Sequence, residues 1–164
     1  MGTLALDHIN IGIAGKALEG VVNILNRVLS DAHVLYVKTR NYHWNVTGMQ
    51  FHSLHELFDL QYTAIAEAID EIAEHTRSRG GRALGTMAEF LQHSQLKEHP
   101  EYPNARGMIE ELVHDHESVI RFLRESIDRC EDEFHDVTTA DFLTGLMKEH
   151  EKMAWMLRAH LEGK

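Results

Sequence analysis

The chain has 164 residues, with 26 acidic against 16 basic side chains and a formal net charge of -10 with histidine neutral. That length suits one domain with a substantial core, and the negative charge opposes non-specific attachment to nucleic acid while favouring cations. No run approaches the roughly 18 apolar residues of a membrane span, and the start lacks the basic-then-apolar order of a signal peptide, so a soluble, unexported, cytoplasmic protein is expected.

Pro100 and Pro103 are the two prolines, which leaves nearly all the chain free to be helical. Residues 1–15 carry no lysine or arginine and read as a flexible tail, with residues 16–164 forming a single domain. The first helix is expected from about Lys16 to Val46, with Val21, Ile24, Leu25, Val28, Leu29, Ala32, Leu35 and Tyr36 recurring at three and four, and it stops near Gly48. The second is expected from about Ser53, where Ser53-x-x-Glu56 has the form of a capping box, to Ser78 before Gly80-Gly81. Its apolar stripe is Leu54, Leu57, Phe58, Ile65, Ile69 and Ile72. A connection follows, with a short helical stretch at Met87 to Gln92 and then the two prolines.

Asn104 has the form of an N-cap for a third long helix, Ala105 to Cys130, striped by Met108, Ile109, Leu112, Val119, Ile120, Leu123 and Ile127. The fourth runs from about Thr139 to Leu161, opened by Thr138-x-x-Asp141 and carrying Phe142, Leu143, Leu146, Met153, Met156 and Leu157. Met108, Met147, Met153, Met156, Phe122 and Trp155 fall at core spacing and read as packing residues. Cys130, the single cysteine, reads as an inert thiol. Four amphipathic helices with one long connection between the second and third describe an all-α, ferritin-like four-helix bundle.

The chemistry concentrates on the second helix. His55 and Asp59 are four residues apart, as are Asp70 and Glu74, and at about 100° per residue all four project within an arc of roughly 100°. His43, near the end of the first helix, can join His55 and Asp59 across the short connection. Asp59 and Asp70, however, lie roughly 16 Å apart along the helix, far beyond a metal bond of about 2 Å. One chain cannot close the site. Two copies that pair their second helices antiparallel about a two-fold axis would bring each His55/Asp59 end to the other's Asp70/Glu74 end, and Ala64, Ala66 and Ala68 near the midpoint would permit close approach. Nitrogen and oxygen donors without thiolate suit iron, zinc or manganese. An intra-bundle di-iron site would need Glu-x-x-His on two helices, and Glu111-x-x-His114 has no partner.

The runs Asn41-Tyr-His-Trp-Asn-Val-Thr-Gly48, Phe51-His-Ser-Leu-His55-Glu-x-Phe-Asp59, Asp70-Glu-Ile-Ala-Glu74 and Gly80-Gly-x-Ala-Leu-Gly-Thr86 strongly resemble the Dps mini-ferritins, from about Glu19 to Leu161. The resemblance implies a bundle with a short helix in the long connection, twelve copies in a hollow cage, and a ferroxidase site at the two-fold interface. His43, His55 and Asp59 would come from one subunit, and Asp70 and Glu74 from its partner. It implies oxidation of Fe(II), typically by hydrogen peroxide, and storage of the ferric product, which protects against oxidative damage. Trp44 matches a family tryptophan that could intercept stray oxidising equivalents or simply pack, and Asp136 and Asp141 resemble the lining of three-fold iron-entry pores.

The chain departs from the family pattern in two respects. Members that bind DNA directly carry a lysine-rich arm, and none precedes Lys16 here, so weak or absent DNA binding is expected; Arg77, Arg79 and Arg82 are the one basic cluster, better suited to salt bridging. His75 and His52 flank the two half-sites and could add imidazole ligands, shifting preference towards zinc, with His160 a more distant candidate. The rival readings are a nucleoid-coating protein and a structural zinc-bound helical dimer without redox activity.

Overall fold

The structure is a computed structural model that describes residues 9–162; most of the expected tail lies outside the described residues. Five α-helices follow in order: α1 Gly15–Asn45, α2 Phe51–Ser78, α3 Met87–His93, α4 Ala105–Asp128 and α5 Val137–Ala159, with a π-helical turn at Arg129–Glu133 before α5. α1 lies along α2 and α4 along α5, while α3 sits across α1. Buried Leu25, Leu29, Leu35, Phe58, Ile65, Ile72, Leu112, Leu123 and Leu143 fill the centre, from the apolar stripes that the spacing predicts.

Two polar anchors fix the connection to α1. Asn26 donates to the Arg82 carbonyl at 2.9 Å and accepts from the Leu84 amide at 3.0 Å. Buried Asp31 accepts from Ser94 Oγ and from the Gln95 amide at 2.7 and 2.8 Å. The α2 end turns at Gly80, φ +77°, and a Cβ on Gly81 would overlap the Val22 side chain, so glycine at the second position lets the chain cross α1 at contact distance.

Four local expectations are corrected. α2 starts at Phe51, where the turn through Gly48 (φ +105°) already closes Phe51 N–H onto the Gly48 carbonyl at 3.0 Å; Ser53 Oγ therefore donates to the Gln50 carbonyl and caps nothing. α5 is capped by Asp136, whose side chain accepts from the Thr139 amide, and not by Thr138. Trp155 is 63% exposed, because the inward positions of α5 are its neighbours Met153, Ala154 and Leu157. Ala64 and Ala68 line a groove against Phe142, Gly145 and Leu146 of α5, about 160° and 200° around the helix from Ala66; Ala66 alone of the three shares the sector of the carboxylate face. Asn104 does cap α4, accepting from the Gly107 amide at 2.9 Å. The buried Cys130 thiol is pushed up to about 11 by burial, which keeps it unreactive.

Candidate metal centre

The site grows from the tight turn between α1 and α2. Val46 N–H closes α1 onto the Tyr42 carbonyl, and the chain reverses within five residues to bring His55 beside His43. The rings stack with centroids 3.8 Å apart and 19° between planes. Each ring nitrogen Nδ1 lies 2.8 Å from the other residue's backbone carbonyl. A carbonyl can only accept, so both Nδ1 atoms carry a proton, and in the neutral rings both Nε2 atoms present a lone pair. This is the arrangement that fixes tautomer and aim in metal-binding histidines. Phe51 also stacks with His55, centroids 5.2 Å apart.

Asp59 Oδ1 stands 4.0 Å from His43 Nε2 and accepts from the Tyr62 hydroxyl at 2.5 Å. That hydrogen bond is the main cause of the raised Tyr62 pKa. Asp70 and Glu74 are exposed further along α2. Among the described residues no three His, Cys, Asp or Glu side chains of one chain converge on a point.

The remaining expected positions are placed elsewhere. His75 turns into its own bundle, stacked on Phe142 at 4.5 Å with Nε2 2.9 Å from Thr139 Oγ1, and burial lowers its pKa. His52 is exposed beside Glu56 at 3.4 Å, and His160 Nδ1 bonds the Met156 carbonyl at 3.0 Å. Asp136 is 2% exposed, and its two oxygens are engaged by Arg79 at 2.7 and 3.3 Å and by Thr139. Asp141 is exposed on α5. Trp44 is 63% exposed, with the Arg40 guanidinium 5.1 Å above its ring. Of the arginine cluster, Arg79 is held by Asp136, Arg82 pairs with Glu89 at 2.7 Å, and Arg77 donates to the Gly81 carbonyl.

Sequence reasoning missed Tyr62, Arg40 and Tyr36, which surround the half-site: Arg40 donates to Tyr36 Oη at 2.7 Å and lies 5.6 Å from the Tyr62 ring. Their signal was present as the four-residue spacing of Tyr36, Arg40 and Trp44 on α1 and the placement of Tyr62 one turn after Asp59.

A ferritin-like domain model matches residues 22–163. A DNA protection during starvation protein of Bacillus anthracis is 40% identical over 141 residues, covering 86% of this chain and 96% of that protein. The chain belongs to the ferritin-like Dps family. Within that setting, this Dps-family chain is also 52% identical over 159 residues to a low temperature-induced protein of Nostoc, covering 96% of this chain and 89% of the relative. It superposes with a TM-score of 0.89 and 30% identity on the Dps protein of Vibrio cholerae, covering 96% and 99% of the two chains; that protein is described as one of the ferritin-like diiron-carboxylate proteins. The all-helical bundle and the short α3 expected from the sequence agree with this family.

Proposed function

We propose that the chain is a ferroxidase and iron store whose sites are shared across a two-fold dimer, within a cage of twelve copies. The observation that carries this reading is the reciprocal locking of His43 and His55, which presents two Nε2 lone pairs beside the Asp59 carboxylate. Lone pairs oriented in this way serve a cation. Asp70 and Glu74, roughly 16 and 22 Å from Asp59 along α2, would complete the set from the partner subunit. Exposed Trp44, Met49, Phe51 and Leu60 near the same turn suit a face that another copy covers.

Fe(II) is the substrate. Two Fe(II) would give one electron each to one hydrogen peroxide, whose O–O bond breaks; with two protons it leaves as two waters, so no hydroxyl radical is released. The chain's own residues bind and position: the imidazoles donate neutral nitrogen, the carboxylates offset the charge gained on oxidation, and Tyr62 holds Asp59. Zinc fits the same donors and would occupy the site without redox chemistry. Protection of DNA then follows from removal of iron and peroxide. DNA binding is weak or absent at neutral pH, because Arg79 and Arg82 are paired and the net charge is -10; sub-micromolar binding in a low-salt gel shift would refute it.

The direct test is addition of Fe(II) and then peroxide under anaerobic conditions, followed by ferric absorbance. Rapid oxidation is expected in the wild type and none above background in Asp59→Ala. Equal rates in the two would overturn the assignment.

A further inference from the structure

The Glu-x-x-His pair that the bundle interior does not use has a different setting. Glu111 and His114 face outward from α4 into a cleft of about 840 Å³ beneath the connecting segment, which brings His99 over them. His99 Nε2 stands 3.0 Å from Glu111 Oε1, while its Nδ1 lies 2.8 Å from the Glu101 carbonyl. The second oxygen of Glu111 accepts a hydrogen bond from the hydroxyl of fully buried Tyr42. Tyr42 faces α4 and its neighbour His43 faces α2, so this cleft and the ferroxidase half-site lie on different sides of α1.

We propose that His99, Glu111 and His114 form an accessory site for a divalent transition-metal ion, distinct from the centre at the α1–α2 turn. Two imidazoles and a carboxylate are borderline donors suited to such ions. Ligands on one cation at about 2.1 Å and a right angle stand about 3 Å apart, which is the His99–Glu111 spacing. Both of those ligands are aimed by a second partner, the Glu101 carbonyl and the Tyr42 hydroxyl, as metal ligands commonly are. His114 is exposed one turn along α4 from Glu111 and joins by rotation of its side chain. With Lys38 paired to Asp115 at 2.7 Å and Glu110 to Arg106 at 2.8 Å, the cleft lining leaves Glu98 and Glu111 against Lys97, so the field favours a cation.

The test uses the full chain in a His55→Ala, Asp59→Ala, Glu74→Ala background, which breaks the imidazole pair and both carboxylate halves of the ferroxidase centre, titrated with Co(II) by calorimetry and visible absorption. One Co(II) per chain is expected here, with d–d bands showing mixed nitrogen and oxygen ligation, and affinity falling by about tenfold or more on His99→Ala and on His114→Ala. Both histidines lie outside the core, so circular dichroism should be unchanged. No binding in the background, or affinity retained in either variant, overturns the proposal and leaves His99–Glu111 as a simple ion pair.

Discussion

The two halves of the proposed ferroxidase centre differ in how much of their order one chain supplies. At the α1–α2 turn, His43 and His55 lock each other through backbone carbonyls and Asp59 is held by Tyr62. At the other end of α2, Asp70 and Glu74 are exposed, and what is braced is the back of the helix, through His75 on Thr139 and Arg79 on Asp136. The contrast follows from ligand chemistry. An imidazole binds through one nitrogen and needs its tautomer fixed, whereas either oxygen of a carboxylate serves, so in the proposed shared site the carboxylate half would tolerate freedom until a partner supplied the rest.

The largest expected effect breaks the two halves apart. Asp59→Ala and Glu74→Ala should each abolish peroxide-driven Fe(II) oxidation, yet chains of the two variants coexpressed in equal amounts should recover about a quarter of wild-type activity. Half the dimers would be mixed, and each mixed dimer would carry one intact site and one doubly damaged. A coexpressed sample as inactive as its components would show that each site is built within one chain.

Next in size is the bracing behind the carboxylate end. Asp136→Ala leaves the buried Arg79 guanidinium unpaired and uncaps α5, and should cost about 3–5 kcal/mol in chemical denaturation. Arg82→Ala, which removes an exposed guanidinium from its pair with Glu89, should cost less than about 1 kcal/mol.

A pH effect separates the core from both halves. His116 and His150 are buried between α4 and α5 with their Nδ1 atoms 2.9 Å apart. Desolvation holds His150 down to about 4, and His116 also lies well below its ordinary value. The unfolded chain takes up protons near pH 6.5 and the native pair does not, so stability is full above that pH and falls as pH drops towards 4. For His150 the loss is on the order of 3 kcal/mol. Urea midpoints across that window should fall less in His150→Gln than in the wild type; parallel curves would place the acid sensitivity elsewhere.

The smallest effect sharpens the contrast within the braced half. Tyr62→Phe removes the hydrogen bond to Asp59 and should weaken Fe(II) or Co(II) binding at the centre by a few-fold, with no change in global stability. An unchanged affinity would mean that Asp59 is positioned without Tyr62.

Much of the architecture was legible because helical periodicity is a local property. Val21, Leu25 and Leu29 recur on one face of α1, and all three are buried. Cap positions were less legible. Ser53 and Asp136 both carry capping side chains, but which residue caps depends on where the preceding turn delivers the chain, and Gly48 starts α2 two residues early. Trp155 and Ala64 misled for a related reason: spacing assigns residues to a stripe, while only the neighbouring helices decide which edge of it is covered.

By itself, the sequence determined that four long helices form, that the five candidate ligands lie on two helices, and that one chain is too short in reach to gather them, since a helix rises a fixed ~1.5 Å per residue. Tertiary structure decided what each side chain does there. It turned His75 inward against Phe142, tied Asp136 to Arg79, set Tyr62 on Asp59 and brought His99 over Glu111. Each of these contacts joins side chains through an angle about a helix axis or a loop path, and neither is encoded in spacing along the chain.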